Sequence, residues 1–229
     1  MQYSPFRLFG QFSELDIRLF TKSDRVNMHQ DITATLGRAS LAIPRQVHGT
    51  KTIVAHAPML LTKEADGIVT NIQGLTIAIA MADCQTFVVY APKRHVIGLL
   101  HAGWRGLTAG ATCEFFAVLK KEYGIDPADT YIAAGPSLCQ NCSEFTDPKR
   151  ELPRVDPKFF SDRLVDLRGI ADRELDRVGI PPSQRERHPD CTRCRSDLYW
   201  SYRGPDREKV REGWENFMTC TISHAQSDR

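Results

Sequence analysis

At 229 residues, with 41% hydrophobic and 25% charged side chains, the chain has the balance of a globular protein and length enough to bury a core without staples, which excludes a disordered or fibrous class. A net charge of +2 gives no electrostatic case for nucleic acid or a membrane surface as the main partner, although a small anion needs only a local basic pocket. Seven cysteines, no leader-like pattern over residues 1–7 and no apolar run longer than residues 75–82 favour free thiols or metal ligands over disulfides, with the cytoplasm as the expected compartment.

In chain order, residues 76–82 read as a buried strand, and residues 87–90 and 96–100 as two more joined by the turn-like stretch 91–95. A helix is expected over 107–123, because Ala111, Phe115, Val118 and Leu119 share one face and Gly124 suits a C-terminal stop. Residues 131–134 form a short strand ending at Gly135-Pro136. Asp156-Pro157 then offers an N-cap followed by proline, and Phe160, Leu164, Leu167, Ala171, Leu175 and Val178 continue at helical spacing to Gly179. Residues 181–195 read as a loop, and 198–202 and 215–222 as closing strands. The polar stretch 149–154 offers a boundary, but those last strands are too few to form a core alone, so one domain over 1–229 is expected.

Three segments look unlike packing segments: Gln46-Val47-His48-Gly49, Ala82-Asp83-Cys84 and His101-Ala102-Gly103-Trp104-Arg105-Gly106. If 86–90 and 96–100 pair about the turn, partner numbers sum to about 186, and Cys84 and His101 fall almost opposite each other. His48 would complete a His-Cys-His set. Three protein ligands leave zinc an open fourth position, which is the catalytic arrangement rather than the structural one. Residue types alone leave the bland reading open, since a histidine at a strand end is commonly a hydrogen-bonded structural residue.

These segments, with Asp66-Gly67-Ile68-Val69-Thr70, Gly135-Pro136 and Ser201-Tyr202-Arg203, occur in the order found in the laccase-domain family, which the chain resembles over roughly residues 20–205. That family was first described as polyphenol oxidases and is now recognised as purine nucleoside phosphorylases. The resemblance implies a mixed α/β layered sandwich, similar to the catalytic domain of cytotoxic necrotising factors. It also implies zinc on His48, Cys84 and His101, with purine nucleosides (adenosine, inosine, guanosine, methylthioadenosine) and phosphate as substrates and adenosine deamination as a second activity. The sequence departs from the family after Gly135-Pro136, where Asn141 and Ser143 replace a cysteine and a tyrosine while Cys142 and Glu144 remain. The usual Thr-Gly-Arg stretch is not found after Ser-Tyr-Arg.

Under this reading Arg105 is the phosphate ligand, because a guanidinium offers two parallel hydrogen bonds, with Arg45 and Arg203 as further candidates. Asp83 is expected as an acid or base, or as the partner that orients a metal histidine; Asp83 or Glu144 could protonate a leaving amine. Trp104 is expected to pack rather than stack on a base. Three rivals stand beside this reading. Cys84 and His101 could form a metal-independent hydrolase pair, which leaves His48 without a duty. Copper in place of zinc would suit a polyphenol oxidoreductase, but multicopper oxidases need more than the seven histidines here. A non-enzymatic zinc-binding protein is the third, and Cys139-x-x-Cys142 with Cys191-x-x-Cys194 could close a structural zinc tetrahedron.

Overall fold

The computed structural model describes residues 1–26, 29–37 and 40–223. Two six-stranded mixed sheets dominate it. The first runs, in spatial order, Gln2–Tyr3, Leu15–Phe20, Asn216–Ile222, Thr76–Met81, Leu41–Arg45 and Met59–Glu64; the second runs Arg185–Arg187, Tyr131–Ala134, Gln85–Ala91, Val96–Ala102, Gly67–Thr70 and Thr52–Val54. Because side chains alternate across a strand, each central strand feeds two apolar layers. Ile77, Ile79, Met81, Met218 and Cys220 meet Ile68, Val88, Tyr90, Ile97 and Leu99 between the sheets. Phe87, Val89, Leu100 and Ile132 face the other way, against Leu107, Phe115, Leu119, Ile170 and Leu175 from helices. On the far side of the first sheet, Ala78, Ala80 and Phe217 pack with Ile32 of helix His29–Leu36. The result is a mixed α/β layered sandwich. Burial on both faces explains why the central strands read as unbroken apolar runs.

Helix Ala111–Tyr123 ends at Gly124, which takes the left-handed conformation at φ 67° and donates its N–H to Leu119 and Lys120 carbonyls. Phe115 is fully buried, which contributes roughly 1.5–3 kcal/mol, and Gly98 makes room for it: a Cβ there would stand 2.5 Å from the ring. The expected helix over 107–123 is two helices, Trp104–Ala109 and Ala111–Tyr123, because Gly110 adopts φ 95° and breaks the ladder.

The helix expected from Asp156 starts later. Asp156 does cap, accepting the Lys158 N–H at 3.0 Å, but over a single 3-10 turn, Pro157–Phe159. Phe160 and Leu164 lie in a two-stranded ribbon that turns at Asp162 (φ 53°), and helix Leu167–Val178 is capped by Asp166 through the Gly169 N–H at 2.9 Å. The ribbon's spacing imitated a helical turn. Residues 198–202 are not a strand: the Asn216 side chain takes the place of a ladder, bonding the N–H and carbonyl of Trp200 at 3.0 and 2.9 Å. The loop 181–195 contains one short strand, Arg185–Arg187, parallel to Tyr131–Ala134. Within and just after the polar stretch 149–154, Leu152 and Val155 belong to the cluster beneath the helices.

Candidate metal centre

The site forms where the chain crosses between sheets. Strand Thr76–Met81 belongs to the first sheet and Gln85–Ala91 to the second, and Asp83, at φ 92°, turns the chain between them. Hairpin pairing sets Thr86 opposite His101, a sum of 187 rather than the expected 186, because the connection is a four-residue turn closed by His95 in the left-handed conformation. This matters for the site. Cys84 lies two residues before Thr86, so it reaches His101 as a diagonal neighbour on one face rather than from the opposite side. His48 follows strand Leu41–Arg45 at φ 59°; Gln46 pins that loop by bonding both backbone groups of Ala80, at 2.7 and 2.9 Å. Histidine and aspartate tolerate this backbone region better than most residues, and it persists only where surrounding bonds enforce it.

The ligand atoms of His48, Cys84 and His101 lie within 4.8 Å of one another. The two imidazoles meet edge to face, centroids 4.9 Å apart. Gly103 keeps the space open, since a Cβ there would come within 3.1 Å of the Cys84 sulfur and 3.0 Å of His48. Asp66 is fully buried beside the trio. It accepts N–H bonds from Val47, His48 and Gly49 at 3.3, 2.9 and 2.7 Å, and the His101 Nδ1–H at 2.9 Å. Burial alone would push the Asp66 carboxyl up, but the bonds from His101 and from the loop backbone hold it below its ordinary value.

Burial likewise opposes charge on Cys84, yet His101 and His48 beside it bring the thiol down to about 7. For His101 burial opposes protonation, and Cys84 and Asp66 outweigh it, raising the ring to about 10. Each group therefore favours the charged form of the other, the thiolate beside the protonated ring. With Nδ1–H committed to Asp66, Nε2 is the atom left for a cation, which would take the place of the proton. Two imidazoles and a thiolate, backed by a carboxylate, fit a single zinc ion.

The trio lines a cleft of about 950 Å3, with Met81, Leu138, Leu167, Tyr202 and Phe217 as apolar walls. Arg105 stands in the first turn of helix Trp104–Ala109, exposed, stacked 4.2 Å above the Trp104 ring, and without a carboxylate partner among the described residues. Arg45 also lines the cleft but is paired with Glu64 at 2.8 Å; Arg203 lines it and donates to the Glu144 carbonyl. Glu144 itself does not line the cleft, and its carboxylate pairs with Arg163 at 3.1 Å. Asp83 is buried and committed: Thr192 and Ser201 hydroxyls donate to Oδ1 at 2.6 and 2.7 Å, and the Arg203 N–H donates to Oδ2 at 2.7 Å. It ties the wall of the cleft together, and the histidine-orienting carboxylate is Asp66 instead. Trp104 packs edge-on against Phe145 at 5.6 Å.

Two residues carry more than their sequence context suggested. Asp66 opens the Asp66-Gly67-Ile68-Val69-Thr70 segment, and its role depends on contacts across 18 and 35 residues. Glu215, expected to open a closing strand, stands just before strand Asn216–Ile222 and lines the cleft; burial raises its carboxyl, with His101 and His48 pulling the other way. A carboxylate standing just before an apolar alternation was the available signal.

The family model described as multi-copper polyphenol oxidoreductase laccase matches residues 10–214. The chain belongs to this family. Within it, the chain is 28% identical over 201 residues to purine nucleoside phosphorylase YlmD of Geobacillus stearothermophilus, covering 82% of this chain and 63% of that protein. It is 34% identical over 166 residues to purine nucleoside phosphorylase LACC1 of Mus musculus, covering 67% of this chain and 36% of that one. Adenosine deaminase RL5, from an unknown prokaryotic organism, is 28% identical over 182 residues, covering 71% of this chain and 69% of the relative. The chain therefore spans less than two thirds of the first two relatives. The crystal structure of YlmD from Geobacillus stearothermophilus superposes with a TM-score of 0.78 at 21% identity, covering 93% of both chains, and has the same fold. No helix among the described residues is long and apolar enough to cross a membrane.

Proposed function

We propose that the chain is a zinc-dependent enzyme that phosphorolyses purine nucleosides, with His48, Cys84 and His101 holding the metal. The convergence of those three ligand atoms in a cleft edged by Arg105, which pairs with no carboxylate among the described residues, is the observation that carries this reading. The names of the relatives in Geobacillus and mouse support the substrate class. A zinc ion bound there supplies a Lewis acid in a partly enclosed site.

The remaining roles fall to the chain's own groups. Arg105 binds phosphate through its planar fork, and its stacking on Trp104 aims the guanidinium. Met81, Leu138 and Phe217 cover the purine and exclude water. A phosphate oxygen forms a bond to the ribose C1′ as the bond to the purine nitrogen breaks, and the bonding pair leaves on the base. Glu215 is the carboxyl in the cleft that can hand a proton to that base, a task that its burial favours. The products are the free base and ribose 1-phosphate.

Adenosine deamination is the second reading, supported by the relative of that name; there Glu215 rather than Glu144 would protonate the leaving amine. The order Asp66–His101–Cys84 would also suit a cysteine nucleophile with its base, but His48 turns to the same thiol and has no duty in that scheme. Incubation with inosine or adenosine, with and without phosphate, followed by chromatography, separates these. Phosphate-dependent base release supports phosphorolysis, inosine formed from adenosine without phosphate supports deamination, and neither product from zinc-loaded protein refutes both.

A further inference from the structure

A second group of side chains, distinct from the cleft trio, has no place in the reaction above. Cys139, Cys142, Cys191 and Cys194 bring four sulfurs within 4.8 Å of one another. All four thiols are free. Two turns present them: the 3-10 turn Gln140–Cys142, closed by the Cys142 N–H on the Cys139 carbonyl at 3.0 Å, and a turn closed by the Arg195 N–H on the Cys191 carbonyl at 2.9 Å. We propose that these four cysteines form a tetrathiolate zinc site that clamps the two loops bordering the cleft.

The geometry suits zinc. A tetrahedral ion with Zn–S bonds of about 2.3 Å separates its sulfurs by about 3.8 Å. The Cys142 and Cys139 sulfurs stand 3.5 and 3.9 Å from that of Cys194. Cys142 and Cys191 are buried, so an empty cluster would leave thiols crowded in an apolar pocket with Leu138. The surroundings suit a group of net charge −2. The Cys139 backbone N–H points to the Cys191 sulfur at 3.3 Å. The Arg168 guanidinium lies behind both loops, donating to the carbonyls of Ser137 and Asp190 at 2.6 Å each, Leu138 at 3.2 Å and Pro189 at 3.3 Å. Its positive charge acts on Cys191 and Cys139. Groups that orient and neutralise ligands in this way are the usual company of a bound metal.

Such a site would act on the cleft at one remove. Thr192, beside Cys191, donates to Asp83 at 2.6 Å, and the Leu138 N–H, beside Cys139, reaches the Asp83 carbonyl at 3.1 Å. Asp83 in turn precedes Cys84. The clamp would hold in place a wall that no ladder of strands secures.

Metal analysis of the whole chain, purified under reducing conditions, tests this. Two zinc ions per chain are expected, falling to one in His48→Ala/Cys84→Ser and to one in Cys142→Ser/Cys194→Ser. Should the latter fail to fold, cobalt substitution of His48→Ala/Cys84→Ser reports instead, with intense sulfur-to-cobalt absorption expected from four thiolates. One zinc in the wild type together with none in His48→Ala/Cys84→Ser overturns the proposal. So does a Cys142–Cys194 disulfide in the reduced preparation, or a cobalt spectrum without thiolate bands. Because the two variants strip different centres, failure here leaves the reading of the cleft untouched.

Discussion

Asp66 Oδ1 accepts the Nδ1–H of His101 at 2.9 Å while the backbone of the His48 loop donates to the same carboxylate. One buried group thus fixes the tautomer of one proposed ligand and the position of another. Asp66→Asn keeps the size but loses the charge and offers an N–H where an acceptor is needed. Zinc affinity at the cleft is expected to fall about 10–100-fold, the usual cost of losing such a partner. Competitive titration with a chromogenic chelator measures it, and an unchanged affinity would remove Asp66 from the account.

Gly103 is required by space and not by backbone conformation, because its φ of −57° is open to any residue. In Gly103→Ala the new methyl would press on both Cys84 and His48 at about 3 Å. The protein is expected to melt near the wild-type temperature but to bind zinc more weakly at the cleft. A matched pair of calorimetric and metal-binding measurements separates those outcomes; equal zinc binding would show that the trio yields without loss.

Arg105 and Glu215 are assigned different duties, so their variants should differ in kind. Arg105→Lys keeps the charge and loses the fork, and it should raise KM for phosphate about tenfold or more with a smaller effect on the nucleoside. Glu215→Gln should lower kcat by about 10²–10⁴ with phosphate binding preserved. Steady-state kinetics with each substrate varied in turn gives both numbers. Identical effects on both parameters in both variants would mean that the residues only shape the cleft.

The trio was legible in the sequence as residue types beside glycines, and the buried strands 76–82, 87–90 and 96–100 as apolar runs. What could not be read was register. A one-residue difference in the hairpin decides which face Cys84 shares, and it depends on His95 adopting a left-handed backbone conformation, which residue type does not dictate. Asp83 and Asp66 illustrate the same limit: each is an aspartate in a short connection between two strands, and only long-range contacts reveal that the first braces the wall while the second orients His101. Strand Leu41–Arg45 was hidden for another reason. Pro44 within it argues against an interior strand, yet it sits where the register shifts between Ile43 and Arg45, a place that tolerates a missing N–H.

His188, which is a ligand in neither proposed metal site, gives a pH dependence of its own. Its ring packs edge-on to Phe6 and Tyr199, and its Nδ1 accepts the Asp190 N–H at 3.3 Å. Burial pushes its pKa below the ordinary 6.5; Arg168 adds to this, and Asp190 and Glu186 oppose it. The folded state therefore binds this proton less readily than the unfolded chain. Its contribution to stability is complete above pH about 6.5 and declines as pH falls from there through the folded-state value. Melting temperatures should drop between pH 7.5 and 5.5, and His188→Gln should flatten that step. An identical profile in the variant would assign the step to other groups.

The central claim is that the His48–Cys84–His101 centre works through a metal. Phosphate-dependent release of hypoxanthine from inosine, measured on protein stripped by chelation and again after stoichiometric zinc is restored, tests it most directly. The account predicts loss of release on stripping and its return with zinc, but no return in His48→Ala. Full release by the metal-free protein would contradict it and favour Cys84 as a nucleophile.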